Sequence, residues 1–96
     1  MSNKINHKET EGQGMFFMED KDGIISELTY SLQDNGIMVI DHTETREAAK
    51  GKGLASKLVE KSVSYAKEND LMIDPICPFA EDQFNKNKEY QEVRVN

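Results

Sequence analysis

The residues best placed to do chemistry are Lys50-Gly51-Lys52-Gly53-Leu54-Ala55, between an apolar run, Ile37–Ile40, and an amphipathic run that starts at Leu54. Glycines let a backbone approach a ligand closely. The unpaired N–H groups at a helix start, with the positive end of its dipole, favour an anion. Arg46, Lys50 and Lys52 make this the most basic spot of the chain, which suits a pyrophosphate. The segment is not a Walker loop, because GxxxxGK(S/T) is absent, and the dinucleotide pattern GxGxxG is absent too. A flexible glycine-rich loop with solvated lysines is the alternative. His42 closes the Ile37–Ile40 run and Cys77 follows a second run, Leu71–Ile76. Ligands of parallel strand–helix–strand units bind outside the carboxyl ends of the strands, so His42 and Cys77 are expected to face one opening.

The elements that must position these residues follow from apolar spacing. Asp20-Lys21-Asp22-Gly23 separates Met15–Met18 from Ile24–Leu32, and Asp34-Asn35-Gly36 separates the latter from Ile37–Ile40. Both are hairpin signals, because Asn, Asp and Gly tolerate positive φ. Ile24, Leu28, Tyr30 and Leu32 share one parity and Glu27, Thr29 and Ser31 the other, the period of a half-buried strand. The first half is thus expected to be a three-stranded antiparallel meander, lengthened by a ragged strand around Lys4–His7. After Gly53 the period changes. Leu54, Ala55, Leu58, Val59, Ser62, Val63 and Ala66 recur at three- and four-residue steps, predicting an amphipathic helix that ends near Asn69-Asp70. Leu71-Met72-Ile73 then reads as a short strand stopped by Pro75 and Pro78. Strand, helix and strand from Ile37 to Ile73 form a βαβ unit with a right-handed crossover. The polar tail from Phe79 carries Phe84 and Tyr90 as anchors and a short helix. The fold class is α+β: a mixed sheet, an antiparallel meander followed by a βαβ unit.

Composition narrows the function. The 96 residues suit one domain spanning 1–96. With 12 basic and 18 acidic residues and a net charge of −6, the chain is poorly suited to gripping nucleic acid. The one cysteine leaves no internal disulfide, and with only His7 and His42 beside it no thiolate-rich zinc site; no metal is expected. The first twelve residues lack the apolar core of a signal peptide, and no apolar run approaches the roughly 18–20 residues of a membrane helix. A cytoplasmic protein, without membrane or nucleic-acid partners, is expected.

Lys50, Gly53 and Ala55 resemble motif A of the GNAT acetyltransferase superfamily, R/Q-x-x-G-x-G/A, with Lys50 a departure at the Arg/Gln position. Asp41-His42-Thr43-Glu44, then Gly51 to Ala55, then Pro75-Ile76-Cys77-Pro78-Phe79-Ala80, and finally Glu89-Tyr90, are similar to the very short, single-domain class of that superfamily. The resemblance covers nearly the whole chain. It implies acetyl-CoA, with the pyrophosphate on backbone amides of Lys50, Gly51, Lys52, Gly53, Leu54 and Ala55 and with Arg46 nearby. The pantetheine arm would pair with the Ile37–His42 strand, at Val39, Ile40, Asp41 and His42, and Phe79 would line the thioester pocket. The implied activity is N-acetyl transfer to an unidentified amine, of a small molecule or of a protein. The chain lacks the opening helices and closing strands with which larger members cover the acceptor. That site must then be open or completed by a partner or second copy; a monomer or weak dimer is expected.

Such transfer needs a base for the ammonium proton and an acid for the leaving thiolate. His42 suits either duty because an imidazole titrates near neutral pH. Cys77 suits the acid, or a nucleophile that forms an acetyl-thioester, and Glu44 is a second base candidate. Plainer readings stand beside these. Cys77 is also a core residue type, His42 could only brace the loop, and Glu44 could be an exposed turn carboxylate. His7 is expected to be solvated, Phe16, Phe17 and Met18 to pack, and Tyr90 to hold the tail. A non-catalytic acyl-CoA-binding module and thioester transfer through Cys77 are the rival functions.

Overall fold

Tight turns fold the first half of the chain back on itself three times. In the computed structural model, which describes residues 4–95, β1 (Asn6–Thr10), β2 (Gln13–Asp20), β3 (Gly23–Leu32) and β4 (Ile37–Thr45) pair antiparallel in sequence order. β5 (Met72–Pro75) joins β4 in parallel and completes a five-stranded mixed sheet. The ragged strand expected around Lys4–His7 is instead a regular one, paired residue for residue from Asn6↔Phe17 to Thr10↔Gln13, so the meander has four strands. Its residues are almost all exposed, so no alternation marks it. Its turn puts Glu11 at φ 51 beside Gly12 at φ 81, and glutamate is not a turn-forming type.

Phe16, Leu28, Tyr30, Met38, Ile40 and Ile73 form the buried face of the sheet. Against it lies α1 (Leu54–Glu68), which buries Leu54, Leu58, Val59, Ser62, Val63 and Ala66, six of the seven positions the helical spacing singles out. The buried Ser62 hydroxyl donates to the Leu58 carbonyl at 3.0 Å, so this polar group costs little. At its end the Asn69 side chain donates to the Tyr65 carbonyl, and Asp70 at φ 56 turns the chain into β5. Ile24, expected on the buried parity of β3, is 40% exposed. It lies at the hairpin end beside a register shift at Met18/Glu19, and Ser26 and Leu28 begin the buried series.

Pro75 and Pro78 stop β5 and start α2 (Pro78–Lys86), in which proline takes the first turn, where no N–H is needed. Phe84 is fully buried, and the Tyr90 ring packs 5.3 Å from it, as expected for the tail anchors. A 3-10 segment, Lys88–Val93, leads to Val95, whose N–H donates to the Ile73 carbonyl and ties the tail to β5.

His7, expected in solvent, is exposed, with aromatic rings against one side. Its ring stacks on Phe16 at 4.2 Å and meets Tyr65 edge-on at 4.9 Å, while Nε2 bonds the Tyr30 hydroxyl. Tyr30 and Tyr65 both donate to Glu9 Oε1, at 2.7 and 2.6 Å, so one carboxylate joins β1, β3 and α1. Burial holds the His7 pKa below its ordinary value despite the neighbouring Glu9. The Tyr65 and Tyr30 hydroxyls hold the Glu9 carboxyl below its own.

Candidate functional site

The site begins where two parallel strands part. The last β4–β5 pair is Ile40↔Pro75. The N–H groups of both Ile76 and Cys77 then turn onto the Ile40 carbonyl at 3.1 Å. Pro78 diverts the chain into α2, so β4 runs on from Asp41 to Thr45 with no strand on that side among the described residues.

A cleft of about 840 Å³ opens beside this gap. Its floor is the extended end of β4, and its far wall is the loop Lys50–Gly53 and the first turn of α1. Gly51 at φ 86 and Gly53 at φ 74 hold that loop in left-handed conformations, which L side chains avoid. Neither would bring a Cβ within 4 Å of anything in the chain, so the space above them is open. Gly53 caps α1 with no side-chain hydrogen bond, and the first helical bond runs from Lys57 N–H to the Gly53 carbonyl. The N–H groups from Gly51 to Ser56 therefore have no acceptor among the described residues. No acidic side chain sits in the first turn of α1 to compete for them. Free N–H groups at the positive end of a helix dipole are of a kind that attracts anions.

Side chains predicted for this site are distributed unequally. Glu44, Arg46, Lys50, Leu54, Ala55 and Phe79 line the cleft, with the glycines. The Arg46 guanidinium is held by the Asp20 carboxylate at 3.3 Å and the Ile24 carbonyl at 3.0 Å. Lys50 pairs with Glu47 at 3.2 Å, and Lys52 is exposed on the loop beside a neighbouring cavity. The basic character seen in sequence is thus partly spent on the chain's own carboxylates, and the backbone N–H groups of the loop are left without a partner among the described residues. Val39 and Ile40 are buried in the sheet, and Asp41 takes the Thr29 hydroxyl at 2.6 Å.

His42 and Cys77 do not face one opening. Tyr30 pairs with Ile40 and Thr29 with His42, which leaves Asp41 as an extra residue on β4. This bulge reverses the alternation downstream. Thr43, opposite Leu28, shares the face of α1, whereas His42 and Glu44, opposite Thr29 and Glu27, occupy the outer face. There His42 Nε2 lies 3.3 Å from Glu44 Oε1, and Glu27 completes a triad whose ligand atoms fall within 4.8 Å of one another. Cys77 is buried on the helix side, with Sγ 3.5 Å from Thr43 Oγ1. Burial pushes its thiol up. Hydrogen bonds from the Thr43 hydroxyl and from backbone groups of Ala80, Phe79 and Thr43 outweigh this and hold the thiol below its ordinary range.

Thr45 and Ser56 line the cleft without having been singled out in the sequence, and so does Thr43, which the sequence offered only within the Asp41–Glu44 element and without a role. Only a residue-level account of the bulge could have placed Thr43 on this face, because regular alternation from Ile40 would turn it outward.

The model of the GCN5-related N-acetyl-transferase family matches residues 15–93. A protein described as a GCN5-like N-acetyltransferase from Staphylococcus aureus is 34% identical, covers 100% of this chain and 92% of its own, and superposes with a TM-score of 0.75. Two more distant structures share the fold. An aminoglycoside acetyltransferase from an uncultured soil sample is 15% identical over 82% of this chain and 59% of its own, with a TM-score of 0.66. An acetyltransferase from Clostridium acetobutylicum, solved with acetyl-CoA, is 16% identical over 78% and 56%, with a TM-score of 0.62. Comparison with curated proteins gives no match. The chain belongs to the GCN5-related N-acetyltransferase family, enzymes that draw their acetyl group from acetyl-CoA.

Proposed function

We propose that this family member holds the pyrophosphate of acetyl-CoA on the backbone amides of Gly51–Ser56, the Lys50 N–H expected to join them being taken by the Glu47 carbonyl at 3.2 Å, and transfers the acetyl group to an amine through the gap between β4 and β5. The observation that carries this reading is the run of acceptor-free N–H groups from Gly51 to Ser56, with open space above two left-handed glycines. Acetyl-CoA supplies an activated thioester. The pantetheine arm lies along β4 from Ile40 to Thr43, with Phe79 closing the apolar wall. The two faces of the sheet divide the proton transfers. His42 on the outer face, with Glu44 against its Nε2, takes the ammonium proton of an acceptor that arrives from that side. Cys77, on the inner face, gives its thiol proton to the departing sulfur; its lowered pKa leaves the resulting thiolate tolerable. The acceptor is a small-molecule or protein amine, reached without a covering segment. The whole chain acts as one domain, in the cytoplasm, as a monomer or weak dimer. Among the described residues no helix is long and apolar enough to cross a membrane.

The test is a coupled thiol-release assay over a panel of primary amines. CoA release that depends on amine, falls at least tenfold in His42→Ala and leaves CoA affinity unchanged supports the division of roles. Release that is independent of amine, together with an acetyl adduct on intact protein lost in Cys77→Ala, would instead establish thioester transfer through Cys77. Acetyl-CoA binding without release under either condition would leave an acyl-CoA-binding module.

A further inference from the structure

We infer that Thr43 is a positioning residue whose hydroxyl fixes the Cys77 sulfur and turns its S–H bond toward the gap between β4 and β5. This rests on the proton-donor role of Cys77 given above, and it assigns a partner to that role. Thr43 lies in the row His7, Phe16, Leu28, Thr43 that crosses the sheet on the α1 face, because the Asp41 bulge has put it there. Its Oγ1 is 3.5 Å from Sγ, in sulfur hydrogen-bond range, and the residue lines the cleft that holds the phosphate cradle. The sulfur sits at the cap position of α2, so backbone groups of Phe79 and Ala80 approach it from the other side. With the Thr43 O–H donating to sulfur, the cysteine hydrogen has no partner there and is free to point into the gap. When the S–H bond breaks and its proton passes to the departing sulfur, the electron pair stays on Cys77, where the hydroxyl and the amides stabilise it. Solvent then returns the proton. The groups acting on the sulfur are the Thr43 hydroxyl and the backbone of Thr43, Phe79 and Ala80, none of which titrates in this range.

Cys77 is the only cysteine, so its Cβ gives a single resonance in protein labelled with ¹³C-cysteine, and a pH titration follows its ionisation without any acetyl-CoA. Thr43→Val keeps the shape and removes the donor. It should raise the Cys77 midpoint by about one pH unit, the size expected of one hydrogen bond to a charged group, and Thr43→Ser should restore it. An unchanged midpoint in folded Thr43→Val would overturn the inference. If that variant does not fold, the Thr43 Cβ of the wild type decides. It must titrate with the Cys77 midpoint, and a flat Thr43 signal would overturn the inference equally. Since no cofactor enters this measurement, it can fail while acetyl-CoA binding stands, or hold while that binding fails.

Discussion

Replacing Gly53 with alanine separates the cost of a left-handed backbone from the cost of filling an anion site. Gly53 has φ 74, and an added Cβ meets nothing within 4 Å. The loss in the free protein is therefore conformational alone, about 1–2 kcal/mol for an L residue in that region. For a domain of this size each kcal/mol lowers Tm by about 4–8 °C. Gly36, in the β3–β4 turn, is a matched control: its φ is 81, and its Cβ would also meet open space. Gly36→Ala should thus lose similar stability. Only at Gly53 does the new methyl intrude on the space assigned to a pyrophosphate. Gly53→Ala should weaken CoA binding more than tenfold, over about 1.4 kcal/mol, and Gly36→Ala should leave it unchanged. Thermal unfolding and calorimetric CoA titration of the two variants make the comparison. Equal affinities with matched Tm losses would refute the cradle argument.

Two further predictions concern the cluster that joins β1 to α1. Burial holds the His7 pKa below its ordinary 6.5, so the unfolded chain binds a proton the folded one refuses, and stability falls as pH drops below 6.5. Tm against pH should show this decline in the wild type, and His7→Gln should flatten it. Glu9 has the opposite charge and the usual carboxylate sign. Its folded pKa lies below 4.5, so its contribution is present above that pH and disappears below it. Glu9→Gln leaves the Tyr30 and Tyr65 hydroxyls with a neutral acceptor and should cost about 1 kcal/mol at pH 7, measured by urea unfolding; no loss would mean the two bonds are matched by water.

Helical periodicity was legible because it does not depend on partners. Leu54 through Ala66 named the face of α1, and the two parallel strands followed from the elements around it. The glycine loop that opens α1 was legible too, since two glycines precede the first apolar residue of the helical pattern. β1 was legible only as a ragged strand around Lys4–His7, because a strand whose side chains are exposed has no alternation to read, and its stability comes from pairing with β2 and from the Glu9 bonds to Tyr30 and Tyr65. The division of His42 from Cys77 was hidden in one inserted residue. Asp41 carries no bulge signature in its type, yet it sets the face of every side chain after it. His7 is exposed, as its polar neighbours suggest, but the aromatic rings against it come from β2, β3 and α1 and leave no local signal.

The most direct test of the central claim is a titration of ¹⁵N-labelled protein with acetyl-CoA. The account predicts saturable amide shifts concentrated at Ile40–Thr43, Lys50–Ser56, Cys77 and Phe79. Shifts confined to other surfaces, or none at millimolar ligand, would contradict it.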